Sequence, residues 1–514
     1  MQFRFRRALC LLLMLFLILS AVPGAPGLPA ALAEDTADVA VQSAPLERSA
    51  ATRDGMVRVR LLSIGSNPAS LTVTAVGAMA VSGGQTMALS GGEQVSISHS
   101  SATGEIRLTR GGETVSMGRE MALRRRQTDG GFRIAQARRP QNVYPGDLHL
   151  VSKLESGTYR LYVVANVYIE SYLYGVVPYE MGSSSALEAL KAQAICARTY
   201  AYGHMLRAGY PRYGAHVDDS TSYQVYNNIT EADSATTAVK ETYGQMILTD
   251  EGTVANTYYY STSCGVGTTA NVWKTAEAEA LDYLKSSRLN PESLMQTDGG
   301  VIAADSNEVN RDAGPEDLRE EEAFRDFITE THAEDYEAQE GWYRWTYTVK
   351  EIDVDRIVET LKKRYEANGK LILTLKDDDY VSQNIKAFSK VNDISVVKRG
   401  PGGVADEMVI VTDKGTFKVI SEYNIRAVLC DGVTKVVRQD GSEVAMPNLL
   451  PSAFFVIEPS HDKKNVVGYN IIGGGFGHGV GMSQNGAKNM ALQGLGAEQI
   501  LNFFYEGCEI CSGQ

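Results

Sequence analysis

The stretch from 473 to 487, near the C-terminus, reads GGGFGHGVGMSQNGA. Six of its first nine residues are glycine, and one histidine, His478, lies among them. Glycine loses more backbone entropy on folding than any other residue, so this density indicates a backbone that bends tightly or approaches a ligand closely. The residues that follow predict two short helices, over 483–493 and 497–504.

A second informative segment lies far upstream, where Glu180 follows Pro178 and precedes Gly182. We therefore expect Glu180 on a loop or short turn, just before a helix predicted over 186–206. Its neighbours are apolar or aromatic, and a carboxyl among such neighbours has a raised pKa, as a general acid needs. The alternative is an ordinary solvated glutamate, which this pattern alone favours.

Three basic residues are further candidates for a site. Lys191 and Arg198 lie two turns apart on the predicted helix, so they project from similar sides. Lys191 is also compatible with a solvated position. Arg198 is flanked by alanines, which predicts a buried or cleft-lining guanidinium able to hold a carboxylate or a sugar oxygen. His478, between two glycines, can reach a cleft, although a lone histidine is more often structural.

The charge and the N-terminus restrict the class of protein. A net charge of −13 argues against a nucleic-acid-binding protein, which needs a strongly basic surface. Three arginines precede an apolar run over 8–22, which is shorter than the ~20 residues of a membrane-spanning helix, and ALA at 31–33 offers a cleavage site. Residues 1–33 are therefore predicted to be a signal peptide or an uncleaved anchor, followed by a tether over 34–55. The rest of the chain is expected outside the cytoplasm.

The remaining chain divides by its hydrophobic pattern. Residues 56–165 show short alternating strands between glycine pairs, which predicts an antiparallel, β-rich region. Residues 166–285 predict a mixed α/β core that carries Glu180. Residues 286–341 are acidic and poor in apolar side chains, which predicts a surface insertion. Residues 342–514 are expected to complete the domain, and the predicted fold class is α+β, with the β-rich region packed against the mixed core.

Taken together, these segments resemble the SpoIID/LytB family, the stage II sporulation protein D group of peptidoglycan lytic transglycosylases. The motifs that carry the resemblance are ESYLYGVVPYEM at 170–181, LEALKAQAICARTYA at 187–201, QVY at 224–226, STSCG at 261–265, LPSAF at 450–454 and GFGHGVGMSQNGA at 475–487. Some members bind zinc through Cys and His residues just before the QVY motif. Here only His216 could serve, and a lone histidine is not a zinc site, so neither a metal nor another cofactor is predicted.

The resemblance implies cleavage of the bond between N-acetylmuramic acid and N-acetylglucosamine without water. Protonated Glu180 would donate to the bridging oxygen, and its carboxylate would then take the proton from the muramic C6 hydroxyl, which leaves a 1,6-anhydro end. Substrate-binding roles are expected for Lys191, Arg198, Gln224, Tyr226, Ser261, Ser263, His478, Ser483 and Gln484.

The resemblance also implies a substrate and a partner. The expected substrate is a glycan strand of peptidoglycan already stripped of its peptides. An N-acetylmuramoyl-L-alanine amidase, which strips them, is therefore an expected partner. The alternative interpretation is a non-catalytic, peptidoglycan-binding protein that stimulates such an amidase. Both a sporulation role and a vegetative role in the cell wall remain open.

Overall fold

The computed structural model describes residues 55–207, 214–227, 233–295 and 317–512. The signal peptide or anchor expected over 1–33, the tether up to residue 54, and residues 296–316 of the acidic segment lie outside these ranges. Within the described ranges, no helix has both the length and the hydrophobicity that are required to cross a membrane.

The N-terminal part consists of two antiparallel sheets, as the alternating pattern predicts. In β2, for example, Leu71, Val73 and Ala75 are buried while the residues between them are more exposed, so one face of the strand lies on the core. The first strands are β1 Met56–Arg60, β2 Ser70–Val76, β3 Met79–Ser82, β4 Met87–Leu89, β5 Gln94–His99, β6 Ile106–Arg110, β7 Glu113–Gly118, β8 Glu120–Arg125, β9 Gly131–Ile134, β10 Tyr144–Pro145, β11 Asp147–Glu155 and β12 Thr158–Tyr168.

These strands form a six-stranded sheet in the order β10-β9-β2-β5-β6-β7 and most of a seven-stranded sheet. The larger sheet has the order β13-β1-β12-β11-β8-β3-β4, where β13 is Val217–Asp218 and pairs in parallel with β1. The long strand β12 continues directly into the first helix. The sheet therefore fixes the position from which that helix starts.

All α-helices of the described residues follow β12 in the sequence. They are α1 Ile169–Met181, α2 Leu187–Arg207, α3 Asp233–Glu241, α4 Pro291–Met295, α5 Glu321–Thr329, α6 Val354–Ala367, α7 Glu422–Leu429, α8 Gln484–Leu492 and α9 Ala497–Phe504. Helix α2 is rich in alanine and is buried along most of its length. Small side chains allow neighbouring elements to approach it closely, and α2 contacts α1, α3, α8 and α9.

Glu180 lies in the last turn of α1, so the prediction that it lies on a loop is wrong. Pro178 stands inside this helix, although proline usually ends or kinks one. Burial of Tyr172, Leu173 and the neighbouring valines against the core outweighs that local preference. The helix ends instead at Gly182, whose φ of 77° is accessible to glycine and whose N–H donates to the Pro178 carbonyl at 3.1 Å.

The C-terminal part adds two five-stranded sheets, in the orders β23-β22-β16-β25-β24 and β18-β17-β21-β20-β19, and two short strand pairs. The strands are β14 Gln245–Leu248, β15 Tyr259–Tyr260, β16 Trp345–Val349, β17 Ile372–Lys376, β18 Asp379–Val381, β19 Val391–Arg399, β20 Ala405–Thr412, β21 Gly415–Ile420, β22 Lys435–Arg438, β23 Glu443–Ala445, β24 Phe455–Asp462, β25 Asn465–Gly473, β26 Met482–Ser483 and β27 Glu509–Ser512. The mixture of separate helices and mainly antiparallel sheets confirms the α+β prediction.

One short pair, β15 with β26, brings distant motifs together. The two strands are parallel, with Tyr259 beside Met482 and Tyr260 beside Ser483. The end of the glycine-rich stretch therefore lies against the tyrosine run at 258–260. Helix α8 starts immediately after β26, so this pairing also fixes where α8 begins.

The expectation of a surface insertion over 286–341 is wrong for much of its described part. Helix α5 buries Phe324, Phe327 and Ile328, which form a stripe at helical spacing within an acidic sequence. After α5, Asp335 and Glu337 are also buried. The acidic residues around these positions predict a surface segment, whereas the buried side chains belong to the core.

The close packing of β15 on β26 predicts a strong effect of Gly481→Ala. Gly481 has φ of 73°, and an added Cβ would lie 2.1 Å from the Tyr258 carbonyl oxygen. Gly494 has φ of 95° but no atom within 4 Å of an added Cβ, so Gly494→Ala is the matched control for backbone strain alone. We expect Gly481→Ala to cost about 1–3 kcal/mol more than the control in urea denaturation. Equal losses for the two variants would contradict this packing.

Candidate active site

Glu180 lies where three chain segments meet. Its side chain projects from the last turn of α1 and is partly exposed. Oε1 accepts a hydrogen bond from the Val225 backbone N–H at 3.0 Å, and Oε2 accepts one from Gln484 Nε2 at 3.2 Å. A carboxyl that is fixed at both oxygens and still reaches solvent has the geometry of a group that exchanges a proton with a bound ligand.

Burial raises the pKa of Glu180 above its ordinary value of 4.5. Hydrogen bonds from the Val225 N–H, from Gln484 and from Tyr259 act in the opposite direction, because they stabilise the charged form. Burial has the larger effect. The protonated acid therefore persists to higher pH than in an exposed glutamate, as a general acid requires.

Gln224 holds Tyr259, which in turn interacts with Glu180. It is fully buried, and its Nε2 donates to the Tyr259 hydroxyl and to the Ala197 carbonyl, each at 3.2 Å. Its Oε1 accepts from the Tyr172 hydroxyl at 3.2 Å. Because Gln224 is fully buried, it does not reach a bound glycan, and its predicted substrate contact is corrected to the positioning of Tyr259.

Arg198 does not line the site. Its side chain is 2% exposed, and its Nε and Nη2 donate to the two carboxyl oxygens of Glu170 at 2.7 and 2.8 Å. The remaining guanidinium N–H groups face backbone carbonyls, including those of Gln245 and Val239. The predicted role of Arg198 in binding substrate is therefore wrong, and the residue instead joins α2 to the start of α1.

Lys191 and Tyr226 also lack the predicted arrangement. Lys191 Nζ lies 2.8 Å from a carboxyl oxygen of Glu188 and 2.8 Å from one of Glu241, in ion pairs at the surface between α2 and α3. Tyr226 is buried, and its ring packs against those of Tyr144 and Tyr172, with centroids 6.1 and 4.9 Å away. Tyr226 therefore belongs to the core and presents no face to a sugar.

The predicted serines divide into two groups. Ser261 is partly exposed and remains a candidate for binding substrate. Ser263 and Ser483 are buried, and both hydroxyls donate to the carboxyl of Glu337. These two serines therefore act on the site only through the positions of their backbones. Gln484 is also buried for the most part, but it reaches Glu180 directly.

His478 lies on an aromatic surface. Its partly exposed ring meets Trp273 edge-on at 5.3 Å and Tyr260 at 5.7 Å, measured between centroids. Its Nδ1 accepts from the Val480 N–H at 3.1 Å. Burial lowers the pKa of His478 to about 4, so the imidazole is neutral at neutral pH. The substrate-binding role expected for His478 would therefore be carried by a neutral ring.

Sequence reasoning missed two parts of this site. The Val225 N–H is a backbone donor, which no side-chain pattern reveals. Glu337 lies in the acidic segment whose composition predicts a surface position, although the aromatic residues Tyr336 and Trp342 near it are a signal of burial. Over the described ranges, no three His, Cys, Asp or Glu side chains are grouped as a metal site would require, and the predicted absence of a metal stays a prediction.

The structural role of Arg198 leads to a stability test. Arg198→Ala leaves the Glu170 carboxylate buried without its partner, so we expect a loss of about 3–5 kcal/mol in the free energy of unfolding. Replacing both residues by methionine removes both charges and should recover most of that loss. Urea denaturation followed by circular dichroism measures both variants. A stable Arg198→Ala protein whose only defect is weaker glycan binding would instead support a role in binding substrate.

Comparisons with known proteins match two parts of the chain. Residues 158–249, which include α1, α2 and Glu180, match the family described as stage II sporulation protein. Residues 268–481 match a family described as a domain of unknown function.

The similar proteins include the amidase enhancer of Bacillus subtilis (strain 168), 26% identical over 345 residues, which are 66% of this chain and 40% of that protein. Stage II sporulation protein D of Bacillus amyloliquefaciens is 38% identical over 137 residues, which are 24% of this chain and 39% of the relative. The chain thus spans about two fifths of the length of each of these relatives. The stage II sporulation protein match, the two relatives and the motifs around Glu180 agree, and they support the assignment of the segment at 158–249 to the SpoIID/LytB family.

Proposed function

We propose that this protein remodels the bacterial cell wall by cutting the glycan strands of peptidoglycan as a lytic transglycosylase. The observation that carries the proposal is the Glu180 carboxyl, which is partly exposed, fixed at both oxygens and raised in pKa by burial. It lies within the segment that matches the stage II sporulation protein family.

In the proposed reaction, protonated Glu180 donates its proton to the oxygen that joins N-acetylmuramic acid to the next sugar. As that bond breaks, the Glu180 carboxylate accepts the proton of the muramic C6 hydroxyl, whose oxygen attacks C1. The product is a 1,6-anhydro end, and the acid is regenerated. The Val225 N–H and the Gln484 amide stabilise the carboxylate between the two proton transfers.

One catalytic carboxyl is sufficient for this reaction. A hydrolase generally uses a second carboxylate as a nucleophile or to activate water. Here the attacking hydroxyl belongs to the substrate, and intramolecular attack has a large effective molarity. Two other buried glutamates of this region, Glu170 and Glu337, are held by inward-facing donors, so neither is offered to a sugar.

An aromatic surface near the glycine-rich stretch is suited to the glycan. Tyr258, Trp273 and His478 are each partly exposed, and Trp273 packs edge-on against the other two rings. Tyr258 adjoins Tyr259, which interacts with Glu180. We propose that sugar rings pack on this surface while the scissile bond lies at Glu180.

A second candidate function rests on the amidase enhancer, which is 26% identical over 66% of this chain. On this alternative, the protein binds peptidoglycan without cutting it and stimulates an amidase. Both candidates place the protein outside the cytoplasm, secreted or held at the outer face of the membrane by its N-terminal segment. In both, an N-acetylmuramoyl-L-alanine amidase is the proposed protein partner, and peptide-free glycan is the proposed substrate or ligand.

The first test is Glu180→Gln, which keeps the shape of the side chain but cannot transfer a proton. Wild-type protein and the variant are incubated with peptide-free and peptide-bearing glycan strands, and the ends are identified by mass spectrometry. We expect 1,6-anhydro ends with the wild type and a decrease of at least about 100-fold with the variant.

The control for this test is the thermal unfolding of the variant, which should show a folded protein. Anhydro ends at the wild-type rate from Glu180→Gln would contradict the assignment. Glycan binding without anhydro ends, even with wild-type protein, would favour the amidase-enhancer alternative.

The second test is the pH dependence of kcat/KM on peptide-free glycan. Because the active form carries a proton on Glu180, activity should fall as the pH rises through the pKa of Glu180, which lies above 4.5. Gln484→Leu removes a hydrogen bond to the charged form, so the fall should move to higher pH.

Gln493→Leu makes the same substitution on an exposed residue just after α8 and should leave the pH profile unchanged. A profile that Gln484→Leu leaves unmoved, or moves to lower pH, would contradict the role given to this hydrogen bond.

A further inference from the structure

Glu337 is a fully buried carboxyl that the proposed reaction does not use. Its Oε1 accepts from the Ser263 N–H at 3.0 Å and from the Ser483 hydroxyl at 2.8 Å, and its Oε2 accepts from the Ser263 hydroxyl. These donors come from two motifs that are far apart in the sequence. Glu337 therefore holds together the loop at 261–265 and the start of α8.

Ser483 connects this network to Glu180. It is the last residue of β26 and the N-cap of α8, where its oxygen accepts from the Gly486 N–H at 3.3 Å. The next residue, Gln484, donates to Glu180. A displacement of Ser483 would therefore displace the amide that fixes one oxygen of the candidate acid.

Ser263 connects Glu337 to the glycine-rich stretch. Its neighbour Thr262 exchanges two backbone hydrogen bonds with Phe476, at 2.8 and 3.1 Å. The Ser263 hydroxyl also accepts from the Gly265 N–H at 3.1 Å. Glu337 thus stands at the point where the loop at 261–265, the glycine-rich stretch and α8 are joined.

The surrounding sequence leaves room for this carboxyl. A Cβ added at Gly486 would lie 3.1 Å from Glu337 Oε2, closer than ordinary van der Waals contact. The glycine in the motif MSQNGA therefore has a physical reason, since any larger residue would press on Glu337. All three of its hydrogen bonds come from neutral groups of two serines.

We propose that Glu337 is a positioning residue that places Gln484 against Glu180 by holding the N-cap Ser483. Its effect on catalysis rests on the proposed function, whereas its effect on the position of α8 does not. Glu337 lies in the segment at 268–481 that matches a domain of unknown function. Glu337, from the segment at 268–481, would therefore have a role in the site that Glu180 forms in the segment at 158–249.

The test compares Glu337→Ala with Glu337→Gln. Glutamine can still accept from the Ser263 N–H and the Ser483 hydroxyl, while its amide donates to the Ser263 oxygen. We expect Glu337→Gln to keep kcat within about threefold and Glu337→Ala to lower it by about 10–100-fold with little change in KM, because a displaced catalytic contact affects the chemical step. Amide hydrogen exchange of 483–492 should increase in Glu337→Ala and stay at the wild-type level in Glu337→Gln.

Asp219→Ala is the matched control for the loss of a buried carboxyl. Asp219 is also buried and accepts from the Leu62 N–H and from the N–H and hydroxyl of Ser63, at the edge of the N-terminal sheet. This variant should lower the Tm without changing kcat or the exchange of 483–492.

Wild-type kcat and wild-type exchange of 483–492 in Glu337→Ala would overturn the proposal, as would equal loss of activity in Asp219→Ala. If the wild-type protein releases no anhydro ends, the proposed function fails, and hydrogen exchange still decides the role of Glu337. Should Glu337→Ala fail to fold, Glu337→Asp shortens the side chain, withdraws the carboxyl from Ser483 and leaves the N-cap of α8 in place. It must then show the increased exchange and the lowered kcat for the proposal to stand.

Discussion

The site depends on how the Glu180 carboxyl is held between a backbone N–H at Val225 and the amide of Gln484. These two donors come from the loop before α3 and from the start of α8. The parallel pairing of Tyr259 and Tyr260 with Met482 and Ser483 brings the second donor into place. Without that pairing, Gln484 would not be held against Glu180, and one oxygen of the carboxyl would lose its hydrogen bond.

The environment of Glu180 combines two opposing influences. Burial favours the neutral acid, and the hydrogen bonds favour the carboxylate. A residue that gives up a proton and later recovers it needs both forms to be accessible, so neither influence can be extreme. Because the pKa is raised, the folded chain holds this proton more tightly than the unfolded chain. The raised pKa of Glu180 therefore stabilises the folded chain fully at pH values below the ordinary pKa of 4.5. This stabilisation is lost as the pH rises through the pKa that Glu180 has in the folded chain.

The fold class and several elements could be predicted from the sequence. Period-two alternation identified the N-terminal sheets, and the helices predicted over 483–493 and 497–504 agree closely with α8 and α9. The position of Glu180 was predicted wrongly, because Pro178 suggested a loop while burial of the rest of α1 keeps the helix intact. Local propensity is a weak guide where tertiary packing is strong.

The details of the site were less accessible, because they depend on pairings between distant residues. The alanines around Arg198 predict a buried or cleft-lining guanidinium. They do not reveal its partner Glu170, which lies 28 residues earlier and is buried together with it. Glu337 lies in an acidic stretch, and only the folded chain shows that two serines from other motifs surround it. The resemblance to a family singles out Glu180 as the candidate acid, but it does not distinguish residues that touch a ligand from residues that position those contacts.

The central claim is that Glu180 is an acid whose pKa is raised by its surroundings. The most direct measurement is an infrared titration of the carboxyl bands, with the Glu180→Gln spectrum subtracted from that of the wild type so that residue 180 alone remains. The account predicts a protonated carboxyl that persists above pH 4.5 and ionises at a higher value. A group that is already ionised at and below pH 4.5 would contradict it.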